Sequence, residues 1–561
     1  MASVSATAVR LAAASALSVS VAWAAGTATA DAASGATAAL PARTSAASAD
    51  HASAVSPSAS TGPLTECRVP GLRNSVLCGV VRRALDPARP GGPTIDVHYV
   101  VVPAMARRKL PDPVFLLAGG PGQSAIDLAP SAMGLFARLN NRRDIVFVDQ
   151  RGTGRSAPLE CEDTTREPLA DQADPERQFR RLMDCKARLL KLPYIRTAAD
   201  LGAFTTTLAM QDLDAVRRQL GADRIDLVGA SYGTRAALEY QRQFPAAVRR
   251  SVIDGVAPAD MVLPTSFSVD GQAAFDAVLA ACEREAACKT SYPALRSDWA
   301  ALLASLPKAV TAAHPLTGQP ERFTLTREMV LGAVRGPLYV PSLAAALPAA
   351  IAEAAQGRYE GLMGVSALLA SRKGTQLAMG MHFSVVCSED VPLLEAGEAK
   401  RDAVASTQRD AKADAGTRAV AGQVGGEAPG ADFGDEQAQL YRRACAAWPR
   451  GAVPAAFYTV PRSASPVLLL SGGLDPATPP RHAARVAQAL GPLAQHVVVP
   501  NAGHGVMNIG CMRDVVYRFI DAADDSDAVA VDASCVKAIP RPPAFQPLRL
   551  PAAPPATGAS R

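Results

Sequence analysis

The sequence predicts an α/β chain: a mostly parallel sheet covered by helices on both faces, with a large helical cap insertion. Three observations predict it. Short apolar runs alternate with segments of helical spacing. Most of those runs stop at a Gly-rich or polar loop, as strands of a doubly covered sheet do. Between about residues 257 and 455 the alternation stops and Ala-rich helical segments take over.

The elements follow in order. Arg10 is the only charge before Asp31, Leu11 to Ala25 is apolar, and small-x-small sites follow at Ala22-Trp23-Ala24 and Ala28-Thr29-Ala30. Residues 1–30 therefore read as a cleaved signal peptide. The alternative, an uncleaved anchor, would need a longer apolar run, of roughly 20 residues. No cysteine precedes Cys67, which argues against a lipid anchor. Residues 31–62, almost all Ala, Ser, Thr, Gly and Pro, cannot build a core and read as a disordered linker. The first part of the core, 63–256, holds strand-like runs at Thr94–Val102, Val114–Leu117, Asp144–Val148, Ile225–Val228 and Val248–Ile253. Helical spacing marks Met210–Leu220 and Tyr232–Phe244. The cap spans 257–455, with a Gly-, Ala- and charge-rich loop at Ala411–Asp435. The second part of the core, 456–545, has runs at Pro466–Leu470 and His496–Val499, and 546–561 is a flexible tail.

Composition sets limits. A chain of 561 residues with 48% hydrophobic and 19% charged residues has the makings of a large globular core. A net charge of +5 without any basic run gives no reason to expect nucleic acid or an anionic membrane as partner. Ten dispersed cysteines with no CxxC pair do not resemble a zinc site and suggest disulfides, hence an oxidising, secreted or periplasmic setting. Pairing sequence neighbours gives Cys67–Cys78, Cys161–Cys185, Cys282–Cys288, Cys387–Cys445 and Cys511–Cys535, one of many possible connectivities. Neither a metal nor a nucleotide cofactor is expected: the histidines form no cluster with cysteines or acids, and GGPG lacks the GK[ST] of a phosphate loop.

Chemistry concentrates at strand ends. Gly229-Ala-Ser231-Tyr-Gly233 matches G-x-S-x-G between a predicted strand and a predicted helix, the context that exposes a nucleophilic hydroxyl. Its competing reading is an ordinary Gly-rich turn. A serine needs a base and an orienting acid. Of seven histidines, His504 in Asn501-Ala-Gly-His504-Gly505 follows the last predicted strand, with His382 as rival base. Asp475, in the loop after the preceding strand, lies 29 residues before His504; it could equally cap a helix, and Asp254 is a rival acid. The order Ser…Asp…His is that of the α/β-hydrolases. The backbone N–H groups of Tyr232 and of Gly120 in Ala118-Gly119-Gly120-Pro121-Gly122 are the expected oxyanion donors.

Taken together, GGPG, Asp149-Gln-Arg-Gly-Thr-Gly-Arg-Ser156, Gly229-Ala-Ser-Tyr-Gly-Thr234 and the loops around Asp475 and His504 resemble the secreted tripeptidyl and prolyl aminopeptidases, which are α/β-hydrolases with a helical cap. The resemblance spans roughly residues 65–540. Ala118 stands where prolyl aminopeptidases commonly carry His, which favours the tripeptidyl branch. The family capture of a substrate amine by cap carboxylates implies such a site here, and Glu389 and Asp390 are the local candidates; a helix cap or solvated turn is the competing reading. Arg151 and Arg155 are expected to order their loop by pairing with acids, without a catalytic role.

The expected function is a secreted serine aminopeptidase acting on oligopeptides, with no stable membrane association after signal cleavage. The same triad would also serve an esterase of small esters, and a third reading keeps the fold as a binding scaffold with the triad idle.

Overall fold

A computed structural model describes residues 64–370, 376–397 and 432–546. The expected signal peptide, linker and most of the Ala411–Asp435 loop and C-terminal tail lie outside the described residues.

Nine strands form one sheet: β1 (Thr65–Cys67), β2 (Val76–Ala84), β3 (Thr94–Val102), β4 (Val114–Leu117), β5 (Ile145–Val148), β6 (Ile225–Ala230), β7 (Val248–Asp254), β10 (Val467–Gly472) and β11 (Ala494–Val499). Strands β8 (Lys308–Ala313) and β9 (Pro320–Leu325) pair separately as an antiparallel hairpin. The order in the large sheet is β1-β2-β3-β5-β4-β6-β7-β10-β11, antiparallel up to β5 and parallel from β5 onward.

The helices used below are α1 (Ala125–Phe136), α2 (Thr206–Gln219), α3 (Tyr232–Gln243), α4 (Leu263–Arg284), α5 (Arg327–Leu338), α6 (Met379–Glu389), α7 (Glu436–Ala447), α8 (Pro480–Leu490) and α9 (Met512–Asp521). Side chains alternate between two faces of the sheet. Phe115, Leu117, Leu227, Ile253 and Leu469 pack with α2, α3 and α8. Val114, Leu116, Val228, Val252 and Leu468 pack with α1 and α9. Burial on both faces explains why β4, β5 and the start of β10 read as unbroken apolar runs rather than as alternating ones.

Of the antiparallel edge, Thr94–Val102 is legible in the sequence as β3, whereas β1 and β2 are not. β2 carries two Arg side chains and a glycine, Gly79, forced by its neighbour: a Cβ there would sit 2.1 Å from Cζ of the buried Tyr99 on β3. The hairpin β8–β9 adds two strands to the mainly helical 257–455 insertion. Ala-rich β8 and short, charged β9 are too weak in hydropathy pattern to announce themselves, and they pack onto a separate core with Phe275, Trp299, Val334 and Ile351.

Chain order positions the site. After β4 the chain pairs β5 on one side, then returns to lay β6 on the other side of β4. The loops leaving β4 and β6 therefore diverge from adjacent carboxyl ends, where open α/β sheets form ligand crevices. Gly119-Gly120 follows β4 and Ser231 follows β6.

The five disulfides join Cys67–Cys78, Cys161–Cys185, Cys282–Cys288, Cys387–Cys445 and Cys511–Cys535. The fourth ties α6 to α7 beside the crevice.

Candidate active site

Ser231 sits at φ +56°, ψ −123°, between β6 and α3. A non-glycine residue in this region costs about 1–3 kcal/mol and persists only where its surroundings enforce it. Here they do. The Ser231 N–H donates to the Asp254 carbonyl at 2.8 Å, and its own carbonyl accepts from Thr234 N–H at 2.9 Å and Thr234 Oγ1 at 2.6 Å. The motif glycines serve close approach. A Cβ on Gly233 would lie 2.1 Å from the Leu117 carbonyl oxygen, and one on Gly229 would lie 2.5 Å from that of Gly233. Helix α3 can thus start directly beneath the end of β4.

Asp475 and His504 meet as a pair. His504 Nδ1 donates to Asp475 Oδ2 at 2.9 Å. Asp475 Oδ1 accepts from the N–H groups of Ala477 and Thr478 at 2.8 and 2.9 Å, and Oδ2 also accepts from Thr478 Oγ1. One buried carboxylate therefore both caps the turn and orients the imidazole, so the two sequence readings of Asp475 coexist. The bond fixes the hydrogen on Nδ1 and leaves Nε2 as the acceptor. Ser231, Tyr232, Gly120 and His504 line one cavity of about 1030 Å³. Ser231 Oγ and His504 share no hydrogen bond among the described residues, a contact that commonly tightens only with substrate.

Burial alone would hold the His504 imidazolium down, but the charge and hydrogen bond of Asp475 and the charge of Asp254 outweigh it and raise the group above its ordinary value. Burial opposes ionisation of Asp475, and His504 with the turn amides overcomes that, so the carboxyl is held below its usual range. A general base must be neutral. Activity is therefore expected to be lost as pH falls through the raised His504 pKa, placing the acid limb of kcat/KM above the ordinary histidine value of about 6.5. A pH–rate profile checks this; a limb well below that value would contradict it.

The Gly119-Gly120 loop lies against Ser231. A Cβ on Gly119 would come within 3.1 Å of Ser231 Cβ, and Gly120 needs its φ of +110°. Gln123 Oε1 accepts the Gly119 N–H at 3.1 Å, so Gly120 supplies the next donor along the loop. Asp149 ties that loop to its neighbour, accepting from Ser124 Oγ, Ile126 N–H and Arg155 N–H. Arg151 is fully buried and pairs with Asp212 at 2.7 and 2.9 Å, whereas Arg155 contributes its backbone rather than its guanidinium.

The rival residues have other duties. His382 Nδ1 donates to the Pro121 carbonyl at 3.2 Å and Nε2 accepts from Tyr441 Oη at 2.7 Å, so both nitrogens are spent clamping that loop to α6 and α7. Asp254 Oδ2 accepts the Val506 and Met507 N–H groups and pins the loop behind His504. Burial pushes its carboxyl up to about 6.

Glu389 and Asp390 require a correction. They are fully buried and do not line the cavity. Asp390 receives a two-pronged bond from Arg235, at 2.9 and 3.1 Å, and accepts the Leu263 N–H. Glu389 accepts Thr206 N–H and Oγ1 at 2.8 and 3.0 Å, and Thr206 Oγ1 also meets Tyr232 Oη at 2.6 Å. Burial pushes Glu389 up to about 7. The pair supports Arg235 and Tyr232, which do face the cavity. The acids that line it are Asp127, Glu160, Glu162, Asp163 and Asp254. Glu160, Glu162 and Asp163 flank Cys161 in one short run, a charge density that the sequence displays but that only the fold brings to the crevice.

Known proteins share these segments. Residues 112–281 match the α/β hydrolase fold family, and residues 430–532, which carry Asp475 and His504, match the TAP-like protein family. The chain thus carries an α/β-hydrolase segment and a TAP-like segment. It is 28% identical over 236 residues to serine protease Hip1 of Mycobacterium tuberculosis, covering 40% of this chain and 44% of that one. It is 30% identical over 193 residues to the tripeptidyl aminopeptidase of Streptomyces lividans, covering 33% and 36%. It is 28% identical over 439 residues to carboxylesterase B of Mycobacterium tuberculosis, covering 74% and 78%. The chain thus spans less than half the length of the two peptidase relatives. The two matched segments carry Ser231, Asp475 and His504 on strand ends of one sheet.

Proposed function

We propose that this TAP-like hydrolase is a secreted serine aminopeptidase that releases tripeptides or single residues from the free N-terminus of oligopeptides. The observation that carries the reading is the strained Ser231 turn and the Asp475–His504 pair on the walls of one cavity with an acidic lining. Ser231 Oγ attacks the scissile carbonyl while His504 Nε2 takes its proton. Asp475 stabilises the imidazolium, and the N–H groups of Tyr232 and Gly120 receive the oxyanion. His504 returns the proton to the departing amine, and water then opens the acyl-enzyme by the reverse route. The acidic lining favours an ammonium group at the acyl end of the substrate. Five disulfides support export to an oxidising compartment, and among the described residues no helix is long and apolar enough to cross a membrane.

A second reading, hydrolysis of small esters, is favoured by the longer match to carboxylesterase B. Chromophore release from Ala-Ala-Pro-anilide and Ala-Ala-Ala-anilide, each with a free or acetylated N-terminus, separates the two, with Ser231→Ala as blank. Cleavage of the free-amine forms alone is the expected result. Hydrolysis of a short-chain ester with neither anilide cut would replace the peptidase reading with the esterase one.

A further inference from the structure

We propose that Arg335 forms an anion-binding subsite in the catalytic cavity and takes a substrate carboxylate on the leaving-group side of the scissile bond. The inference rests on the peptidase reading above and names the class of substrate: short peptides that carry a carboxylate just beyond the bond that is cut.

Arg335 lies in the last turn of α5 and lines the same cavity as Ser231 and His504. Its guanidinium rests on the Phe267 ring, 3.9 Å from the centroid, and Nη2 donates to Tyr339 Oη at 3.3 Å. No carboxylate among the described residues pairs with it, and its buried Nε has no partner. The other arginine of the cavity wall, Arg235, is neutralised by Asp390 and Glu389. Two buried arginines elsewhere are likewise neutralised, Arg143 by Asp112 and Asp521 and Arg151 by Asp212, whereas buried Arg250 spends its donors on backbone carbonyls. A desolvated guanidinium with most of its five donors unspent is costly unless a ligand completes it. Stacking on an aromatic face holds the planar fork in one orientation, the preorganisation that two-pronged carboxylate binding needs.

The location gives the side of the substrate. Tyr339, one turn beyond Arg335, packs edge-on against the His504 imidazole with ring centroids 5.1 Å apart, and its carbonyl accepts the His504 N–H at 2.9 Å. Arg335 is 6.0 Å from the Tyr339 ring. It therefore belongs to the histidine side of the cavity, where the departing amine collects its proton. The charge of Arg335 also opposes protonation of His504. A carboxylate seated on the guanidinium would relieve that opposition as substrate binds.

Three peptides with free N-termini test the subsite: Ala-Ala-Ala-Ala, its C-terminal amide, and Ala-Ala-Ala-Glu amide. The first and third distinguish a terminal from a side-chain carboxylate. Wild-type kcat/KM is expected to favour at least one carboxylate peptide over the plain amide by roughly tenfold. The ratio should fall to about one in Arg335→Gln and stay above one in Arg335→Lys, with matching thermal melts showing that both variants fold. A wild-type ratio near one would overturn the subsite while leaving the peptidase reading intact. If wild type cuts none of the three, the peptidase reading fails, and calorimetric binding to the Ser231→Ala protein decides the subsite separately. Tighter binding of a carboxylate peptide, lost when Arg335→Gln is added, supports it; equal binding of all three overturns it.

Discussion

Ser231→Ala is expected to lower kcat/KM by roughly 10⁴-fold or more on any substrate of the enzyme, and Asp475→Asn by about 10⁴-fold. The two losses have different physical origins. Alanine removes the nucleophile itself and leaves the oxyanion donors and the cavity in place. Asparagine keeps the turn: its amide oxygen can still accept from Ala477 and Thr478, as Asp475 Oδ1 does. Its NH₂ then faces His504 Nδ1 where Oδ2 now accepts, which drives the imidazole hydrogen to Nε2 and removes the base. Asp475→Asn should therefore fold normally and fail in chemistry. Steady-state kinetics on a chromogenic substrate, with labelling by a serine-directed phosphonate, reads both. An active Asp475→Asn beside an inactive Asp254→Asn would transfer the orienting role to Asp254.

Asp390→Ala is expected to cost about 3–5 kcal/mol of stability, because it strands a buried cation rather than merely deleting a contact. Arg235 is fully buried, and Asp390 is its two-pronged partner. Without it, Glu389 at 3.5 Å is the remaining carboxylate among the described residues, beside the neutral Pro258 and Met261 carbonyls. The Leu263 N–H at the start of α4 would lose its acceptor as well. Glu389→Gln is the contrast. Burial already pushes that carboxyl up to about 7, so near neutral pH a neutral amide replaces a group that is itself only partly ionised. Urea midpoints of the two variants should differ widely, with Asp390→Ala far less stable. The kinetics of Glu389→Gln add a second test: a rise in KM confined to free-amine peptides would return Glu389 to the role of amine ligand that its burial argues against.

Legibility in the sequence follows burial. Val114–Leu117 and Val467–Leu470 are apolar at every position, and Ile225–Val228 at every position but Asp226, because both faces of the sheet are covered, and each is a strand. Strand β2 gives no such signal, because Arg82 on its exposed face and Arg83 on its other face, paired with Asp212, interrupt the apolar pattern, and Gly79 yields to Tyr99. The hairpin β8–β9 is hidden among Ala-rich segments whose hydropathy has no strong period. The nucleophile, acid and base candidates are legible because each follows a strand directly, so local pattern and spatial position coincide. Glu389 and Asp390 look alike as candidates for an amine site because two adjacent acids in an apolar run carry no mark of their partners. Those partners, Arg235 and Thr206, lie more than 150 residues earlier in the chain.

What this sequence determined by itself is a set of strand-end loops with Ser231, Asp475 and His504 in hydrolase order, an even set of cysteines suited to disulfides, and a parallel sheet to carry them. Tertiary structure alone decided which charges meet. Ion pairs such as Arg235–Asp390, the clamp of His382 on Pro121, and the unpaired state of Arg335 depend on distances between elements remote in the chain. Hydropathy periods report whether a residue is buried, through its own neighbours in sequence. They carry no information about what a buried charge will face, because that partner is chosen by the packing of whole helices and strands.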